Sequence, residues 1–389
     1  MPKRTLTVNV MDAALERLRQ LYAGPYYPVV SFSAGKDSGV CLELAVMAAE
    51  REGRLPVHVS MRDEEILFPG SFEYAERLAA RPEIDFRWWY ANQPIVNAYN
   101  REQPYWWVFD PELPPSAWVR QPPPFARKLE SNVIQAVVSK LTFPEADAEG
   151  LELIAVTGLR AAESPNRRMG VFSSGGWLNV RKHKQTGGLG VRHARPIYDW
   201  QDGDLWKATA DMGWDYNRAY DVMHRLGVSR RRLRIAPPTL SAGGADHLQV
   251  AARAWPEWFG RVCQRCPGVR QVALFGARAA RPFRRQGETW EDVFHRDCIA
   301  EAPDWIAQRA RKVEAQTLRF HRQHSNQPLP EVVNCPKCGQ VACWKQMAYA
   351  LHNGDPFVSY CTSFGGLPYM QPEFFRAGAG RWTGGKPTF

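Results

Sequence analysis

Hydrophobic positions repeat along this chain with two periods, and each change of period marks an element boundary. Met11, Leu15, Leu18, Leu21 and Tyr22 recur at helical spacing and predict an amphipathic helix ending near Gly24. Val29, Val30 and Phe32 then form a short β-prone run bounded by Pro28 and Gly35. From Ser38 the helical period returns through Val40, Cys41, Leu44, Ala45, Met47 and Ala48. Further strands are expected at Val57–Met61, Phe86–Tyr90 and Leu151–Thr157, separated by helical stretches such as Ser71–Ala80 and Ser131–Leu141. This alternation predicts an α/β fold built on a doubly wound parallel sheet. Such sheets bind ligands beyond the carboxyl ends of their strands.

Three segments fall at those ends. In "SFSAGKDS", Ser31 to Ser38, a strand, a tight turn and a helix meet. Gly35 permits the turn, and the first free N–H groups of the helix point at whatever lies above it. Ser33 and Ser38 add hydroxyls, and Lys36 adds a positive charge expected to face ligand rather than core. The stretch fails as an ordinary P-loop, because Val30 stands where its first glycine belongs and Asp37 follows the lysine. "VHVSMRDEE" places Arg62, Asp63 and Glu64 after the next strand, and "TGLRAAESPNR" places Gly158, Arg160, Glu163, Ser164 and Arg167 after another. A glycine followed by an arginine suits close backbone approach plus a fork-shaped phosphate donor. Singly, each is an ordinary turn; together they point to an anion site.

A length of 389 residues implies about two or three domains. With 44% hydrophobic residues and no run approaching a membrane span, a soluble globular protein is expected. The first residues carry no apolar signal core, so the expected compartment is the cytoplasm, where the eight cysteines read as thiols or metal ligands. The net charge of +10 favours polyanionic partners such as DNA or RNA. Arg225 to Arg234 holds five arginines in ten residues, either phosphate contacts or a solvated helix end. Fifteen tryptophans include clusters in "RWWY" and "YWWVFDPELPPSAWVR", which serve as core or as platforms for stacking bases.

"SFSAGKDS" resembles the pyrophosphate loop, S-x-G-G-K-D-S, of the adenine nucleotide α-hydrolase-like (PP-loop) enzymes. These include ATP pyrophosphatases, tRNA thiolation enzymes and phosphoadenosine-phosphosulfate reductases. Ala34 replaces the first glycine, a change the loop bears if φ there is negative. "TGLRAAESPNR" resembles the reductases' G-[IL]-R-x-x-[EQ]-S-x-x-R segment. "RPIYDWQDGDLWKA" resembles their P-[IL]-x-D-W-x-x-x-D-[VIL]-W segment, in which Asp199, Trp200, Asp204 and Trp206 would fix the closing helix. "NQPIVNAYNREQPYWWVFDPE", "DYNRAYDVMHRLGVSRRRLRIAPP" and "CWKQMAYALHNGDPFVSYC" resemble a subgroup with an added C-terminal domain that accompanies ParB-like partners.

The resemblance implies a nucleotide domain over residues 1–210, a helical C-terminal domain over 211–370 and a glycine-rich tail over 371–389. It implies ATP, or phosphoadenosine phosphosulfate, bound by Ser31, Ser33, Ala34, Gly35, Lys36, Asp37, Ser38, Asp63, Gly158 and Arg160. Lys36, Asp37 and Arg160 would be catalytic, and Asp37 or Asp63 would hold Mg2+ while the α-phosphate is transferred to an acceptor. The alternatives are a phosphosulfate reductase proper and a regulator that senses nucleotide without turnover. The reductases' E-C-G-x-H segment is absent, since Cys361 in "SYCTSFGG" lacks its neighbours. Their adjacent cysteine pair for an iron–sulfur cluster is absent too.

"CQRC" and "CPKCG" supply Cys263, Cys266, Cys335 and Cys338, and two such units complete a closed tetrahedral thiolate site for structural Zn2+. The long separation leaves other sets open, with Cys343, His352, Cys361 or the pair His295 and Cys298 replacing one unit. Buried free thiols are the remaining reading.

Overall fold

The computed structural model of the chain describes residues 7–97, 99–130, 137–179, 191–230, 233–235, 245–276, 281–338 and 342–352. They fall into two units. The first holds the described residues up to Asn92, Pro114–Ser116, and those from Arg120 to Ile235. The second holds Gln93–Leu113, Ala117–Val119 and the described residues from 245 onward.

Helix α1 (Val10–Ala23) is capped by the Asn9 side chain, which accepts from the Asp12 N–H, and buries Ala14, Leu18, Leu21 and Tyr22. Then come β1 (Tyr26–Phe32), α2 (Lys36–Arg51), β2 (Val57–Arg62), α3 (Pro69–Ala79) and β3 (Ile84–Tyr90). Strands β4 (Gln93–Val96) and β5 (Tyr105–Val108) pair antiparallel in the second unit. The first unit resumes with β6 (Arg127–Lys128), α4 (Glu145–Ala148), β7 (Glu152–Thr157) and α5 (Pro165–Ser173). It closes with β8 (Arg192–Ala194), α6 (Asp202–Met212) and α7 (Ala219–Arg225).

Six strands form one sheet in the order β6-β3-β2-β1-β7-β8, and every neighbouring pair is parallel. From β1 the chain winds outward through β2 and β3, then crosses back to lay β7 on the other side of β1. The winding therefore reverses between β1 and β7, where the loops that follow them open a crevice. Side chains of β1 alternate between the faces. Val30 and Phe32 enter the larger core with α1, α2, α3 and α6, while Tyr27 and Val29 pack on Phe143, Ala146 and Leu153. Burying such a side chain contributes about 1.5–3 kcal/mol, so β1 is anchored from both faces.

Two expectations change. The first strand runs back to Tyr26, so Pro28 lies inside a central strand. Pairing with β2 begins only at Val29, so Pro28 has a neighbour on one side, where a missing N–H is tolerated. The described part of Ser131–Leu141 is turn rather than helix; residues 131–136 lie outside the described residues. Thr142 diverts the backbone there, accepting from the Ser139 N–H at 2.9 Å and donating to the Val137 carbonyl at 3.0 Å.

The second unit is mainly helical, as expected. It contains α8 (Ala245–Ala254), α9 (Pro256–Arg265), α10 (Val269–Phe275), α11 (Trp290–His295), α12 (Asp304–His324) and α13 (Trp344–His352). Phe294, Val313, Trp344, Met347 and Leu351 share one of its cores. No helix among the described residues is long and apolar enough to cross a membrane.

Candidate functional site

The turn Ser33–Gly35 carries β1 into α2. Gly35 caps the helix in an extended conformation with no side-chain cap, which leaves the positive end of the helix dipole at the crevice. The Lys36 N–H donates to the Tyr220 hydroxyl at 2.9 Å, and burial pushes that phenol well above its ordinary pKa. Ser38 Oγ accepts from the Ser33 N–H at 3.2 Å and donates to the Gly35 carbonyl at 3.0 Å. The loop is thereby tied across its own mouth.

Ala34 corrects an expectation: its φ is +58°, the left-handed region, and not negative. That conformation costs a non-glycine residue about 1–2 kcal/mol. It is held by Asn217, whose Nδ2 donates to the Ala34 carbonyl at 2.9 Å. Gly158 is required by close approach. A Cβ there would stand 2.6 Å from the Asp37 carbonyl oxygen, so the loop after β7 packs backbone to backbone on the first turn of α2.

Four charges alternate in a ring above this junction. Lys36 Nζ lies 3.4 Å from Asp37 Oδ2 and 3.2 Å from Asp202 Oδ1. The Arg160 guanidinium ion-pairs with Asp37 through Nε and lies 3.5 Å from Asp202 Oδ1 through Nη2. Lys36 and Arg160 are both buried, whereas Asp37 and Asp202 are partly exposed. Lys36 therefore faces its own carboxylates as well as the crevice, which revises the expectation of a purely ligand-facing lysine. Its Nζ also donates to the Leu233 carbonyl at 3.4 Å.

The ring borders a cavity of about 670 Å³. Ser31, Ser33, Gly35, Lys36, Asp37, Ser38, Gly158 and Arg160 line it, as the sequence predicts; Ala34 does not. Asp63, expected to help hold nucleotide and metal, does not line it either. It is fully buried, accepting from Trp88 Nε1 at 2.8 Å and ion-paired to Arg120. Asp202 and Tyr220 carry no motif for this role in the sequence, although Asp202 lies in the acidic run "DWQDGD" that opens α6.

Two arginines border the cavity besides the ring. Arg167 is paired with Glu163 at 2.7 Å, and Arg234, from the arginine-rich run, reaches the Glu163 carbonyl at 3.4 Å. Arg231 and Arg232 of that run lie outside the described residues, as does Cys361. Asp199, Trp200 and Asp204 occupy the structural places the resemblance implies. Asp199 takes both terminal nitrogens of Arg17, Trp200 Nε1 donates to the Val10 carbonyl, and Asp204 closes the capping box of α6.

Among the four expected zinc ligands, the structure groups Cys335 and Cys338 with His321. Cys263, on α9, and Cys266, at its end, are not in that group. Burial raises the Cys263 thiol pKa.

Comparison with known proteins adds four findings. The phosphoadenosine phosphosulfate reductase domain matches residues 27–228, just over half of the chain. The uncharacterized protein YbdN of Escherichia coli (strain K12) is 28% identical over 291 residues, covering 70% of this chain and 69% of that protein. Among solved structures, FMN adenylyltransferase of Candida glabrata, in complex with FAD and inorganic pyrophosphate, aligns with TM-score 0.34 and 12% identity. That alignment covers 56% of this chain and 64% of the adenylyltransferase, under two thirds of its length. Phosphoadenylyl-sulfate reductase of Candida auris, in a phosphate complex, aligns with TM-score 0.31 and 12% identity over 57% of this chain and 94% of that one.

Proposed function

The chain belongs to the phosphoadenosine phosphosulfate reductase domain family, and from that membership we propose that its crevice binds an adenine nucleotide and cleaves it at the α-phosphate. The observation that carries this reading is the Lys36–Asp37–Arg160–Asp202 ring at the N-terminus of α2, beside a cavity at the switch point of the sheet. ATP would lay its β- and γ-phosphates over Ser33 to Ser38, where the hydroxyls, the helix N-terminus and Lys36 receive negative charge. An acceptor oxygen forms its bond to the α-phosphorus as the bond to the bridging oxygen breaks, and pyrophosphate leaves. Lys36 and Arg160 stabilise the charge that develops on the departing group, and they are already in place before reaction. Asp37 and Asp202 are the carboxylate oxygens that suit Mg2+, which when bound would neutralise the triphosphate.

A reductase needs a thiol at the site. Among the described residues no cysteine lines the cavity, and burial pushes the Cys41 thiol on α2 up to about 12, which keeps it protonated and unreactive. A nucleic-acid acceptor and a ParB-like partner rest on net charge and on resemblance alone. Incubation with ATP and Mg2+, or with phosphoadenosine phosphosulfate and a thiol reductant, followed by chromatography of the products, tests the proposal. AMP, or an adenylylated species with pyrophosphate, is the expected result. Sulfite would replace the proposal with reduction, and bound but unchanged nucleotide would replace it with sensing.

A further inference from the structure

The second unit contains a cluster that the crevice does not use. His321 stands in the last turn of α12, and Cys335 and Cys338 follow in the turn "CPKC". All three are buried, and their ligand atoms lie within 4.8 Å of one another. We propose that His321 Nδ1, Cys335 Sγ and Cys338 Sγ bind one Zn2+ that fastens the end of α12 to the turn.

The hydrogen-bond geometry of His321 is the strongest support. Its Nε2 lies 2.7 Å from the Gln327 carbonyl oxygen, and a carbonyl only accepts, so Nε2 carries the proton. In the neutral ring Nδ1 then offers its lone pair, and it faces Cys338 Sγ at 3.4 Å. Metal-binding histidines are held this way, with the distal N–H on a carbonyl to fix tautomer and ring plane. The spacing agrees as well. Zn–N near 2.05 Å and Zn–S near 2.3 Å at a tetrahedral angle put nitrogen and sulfur about 3.5 Å apart.

The two sulfurs are equally placed. The turn brings the ligand atoms of Cys335 and Cys338 within 4.8 Å of each other and of His321, with all three residues buried. Two sulfurs and an imidazole select zinc over magnesium or calcium, which prefer oxygen. The ligand set departs from the four-thiolate site suggested by the two C-x-x-C units, because α9 keeps Cys263 and Cys266 out of the cluster.

Elemental analysis of the full chain, purified without chelator, tests the assignment. About one zinc per chain is expected, with near-complete loss in Cys338→Ser and His321→Ala. Cys263→Ser/Cys266→Ser should keep its zinc; loss there would overturn the ligand set in favour of four thiolates. If the first two variants fail to fold, the wild type reconstituted with Co2+ decides. Tetrahedral visible bands with thiolate-to-cobalt charge transfer support the site, and an octahedral spectrum overturns it. Wild-type protein without zinc, or with stoichiometric iron in its place, also overturns it.

Discussion

Lys36→Ala separates a phosphate-binding lysine from one that merely pairs with its neighbours. At 3.2 Å, and with an effective dielectric near 20, the Lys36–Asp202 attraction is about 5 kcal/mol gross. Desolvation of the buried ammonium opposes most of that, and Asp202 is partly exposed, so the net loss of stability should be about 1–2 kcal/mol. Binding should suffer more. A charge-assisted hydrogen bond to phosphate contributes about 1.5–3 kcal/mol, so the Kd for ATP should rise about tenfold to a hundredfold. The double variant Lys36→Ala/Asp202→Asn leaves Arg160 and Asp37 as a balanced pair, so most of the stability should return while affinity stays low. Urea denaturation supplies the stabilities and titration calorimetry with ATP supplies the affinities. Wild-type ATP affinity in Lys36→Ala, alongside the expected loss of stability, would reduce the lysine to a structural ion pair and refute the assignment of the crevice.

Two further predictions concern the same sheet. In Ala34→Gly, relief of about 1–2 kcal/mol of left-handed strain should offset the lost methyl burial and the added chain entropy. Its stability should therefore change by less than about 0.5 kcal/mol, and a loss near 2 kcal/mol by urea denaturation would show that no strain was present. Asp85 is held below the ordinary carboxylate range, first by its hydrogen bond from His58 and then by Arg87. A carboxylate with a depressed native pKa stabilises the fold above its unfolded value and loses that contribution as pH falls through the native one. Asp85→Asn should accordingly flatten the acid limb of the stability profile below about pH 4; an unchanged acid slope would count against the pairing.

The fold was legible where each element depends on residues next to one another in sequence. The period change at Gly35 located the β1–α2 junction because strand and helix present apolar side chains at different spacings. It failed at residues 137–141, whose composition suits a helix. There the Thr142 hydroxyl bonds the local backbone, accepting from the Ser139 N–H and donating to the Val137 carbonyl, a competition that periodicity does not register. The crevice was legible for the same local reason, since six of its residues occupy one run of eight. Its other partners arrive from far along the chain. Tyr220 and Asp202 reach Lys36 only after the sheet has closed, and each looked like an ordinary helix residue.

The cysteines show how a shared spacing hides different backbones. In "CQRC" the residues belong to α9 and its cap, so the Cys266 N–H is committed to the Val262 carbonyl at 2.8 Å. A helix spends its N–H groups along its own axis and has none to turn toward a sulfur. In "CPKC", Pro336 opens a turn instead, and Cys335 and Cys338 come together with His321. Equal spacing therefore gives one pair placed for the proposed zinc and one pair set on a helix and its cap. The third ligand had no motif at all. His321 stands fourteen residues before Cys335, and the Gln327 carbonyl in the loop after α12 accepts the hydrogen bond of its Nε2. The proposed ligand set follows from where the backbone places these residues, which the cysteine count alone does not encode.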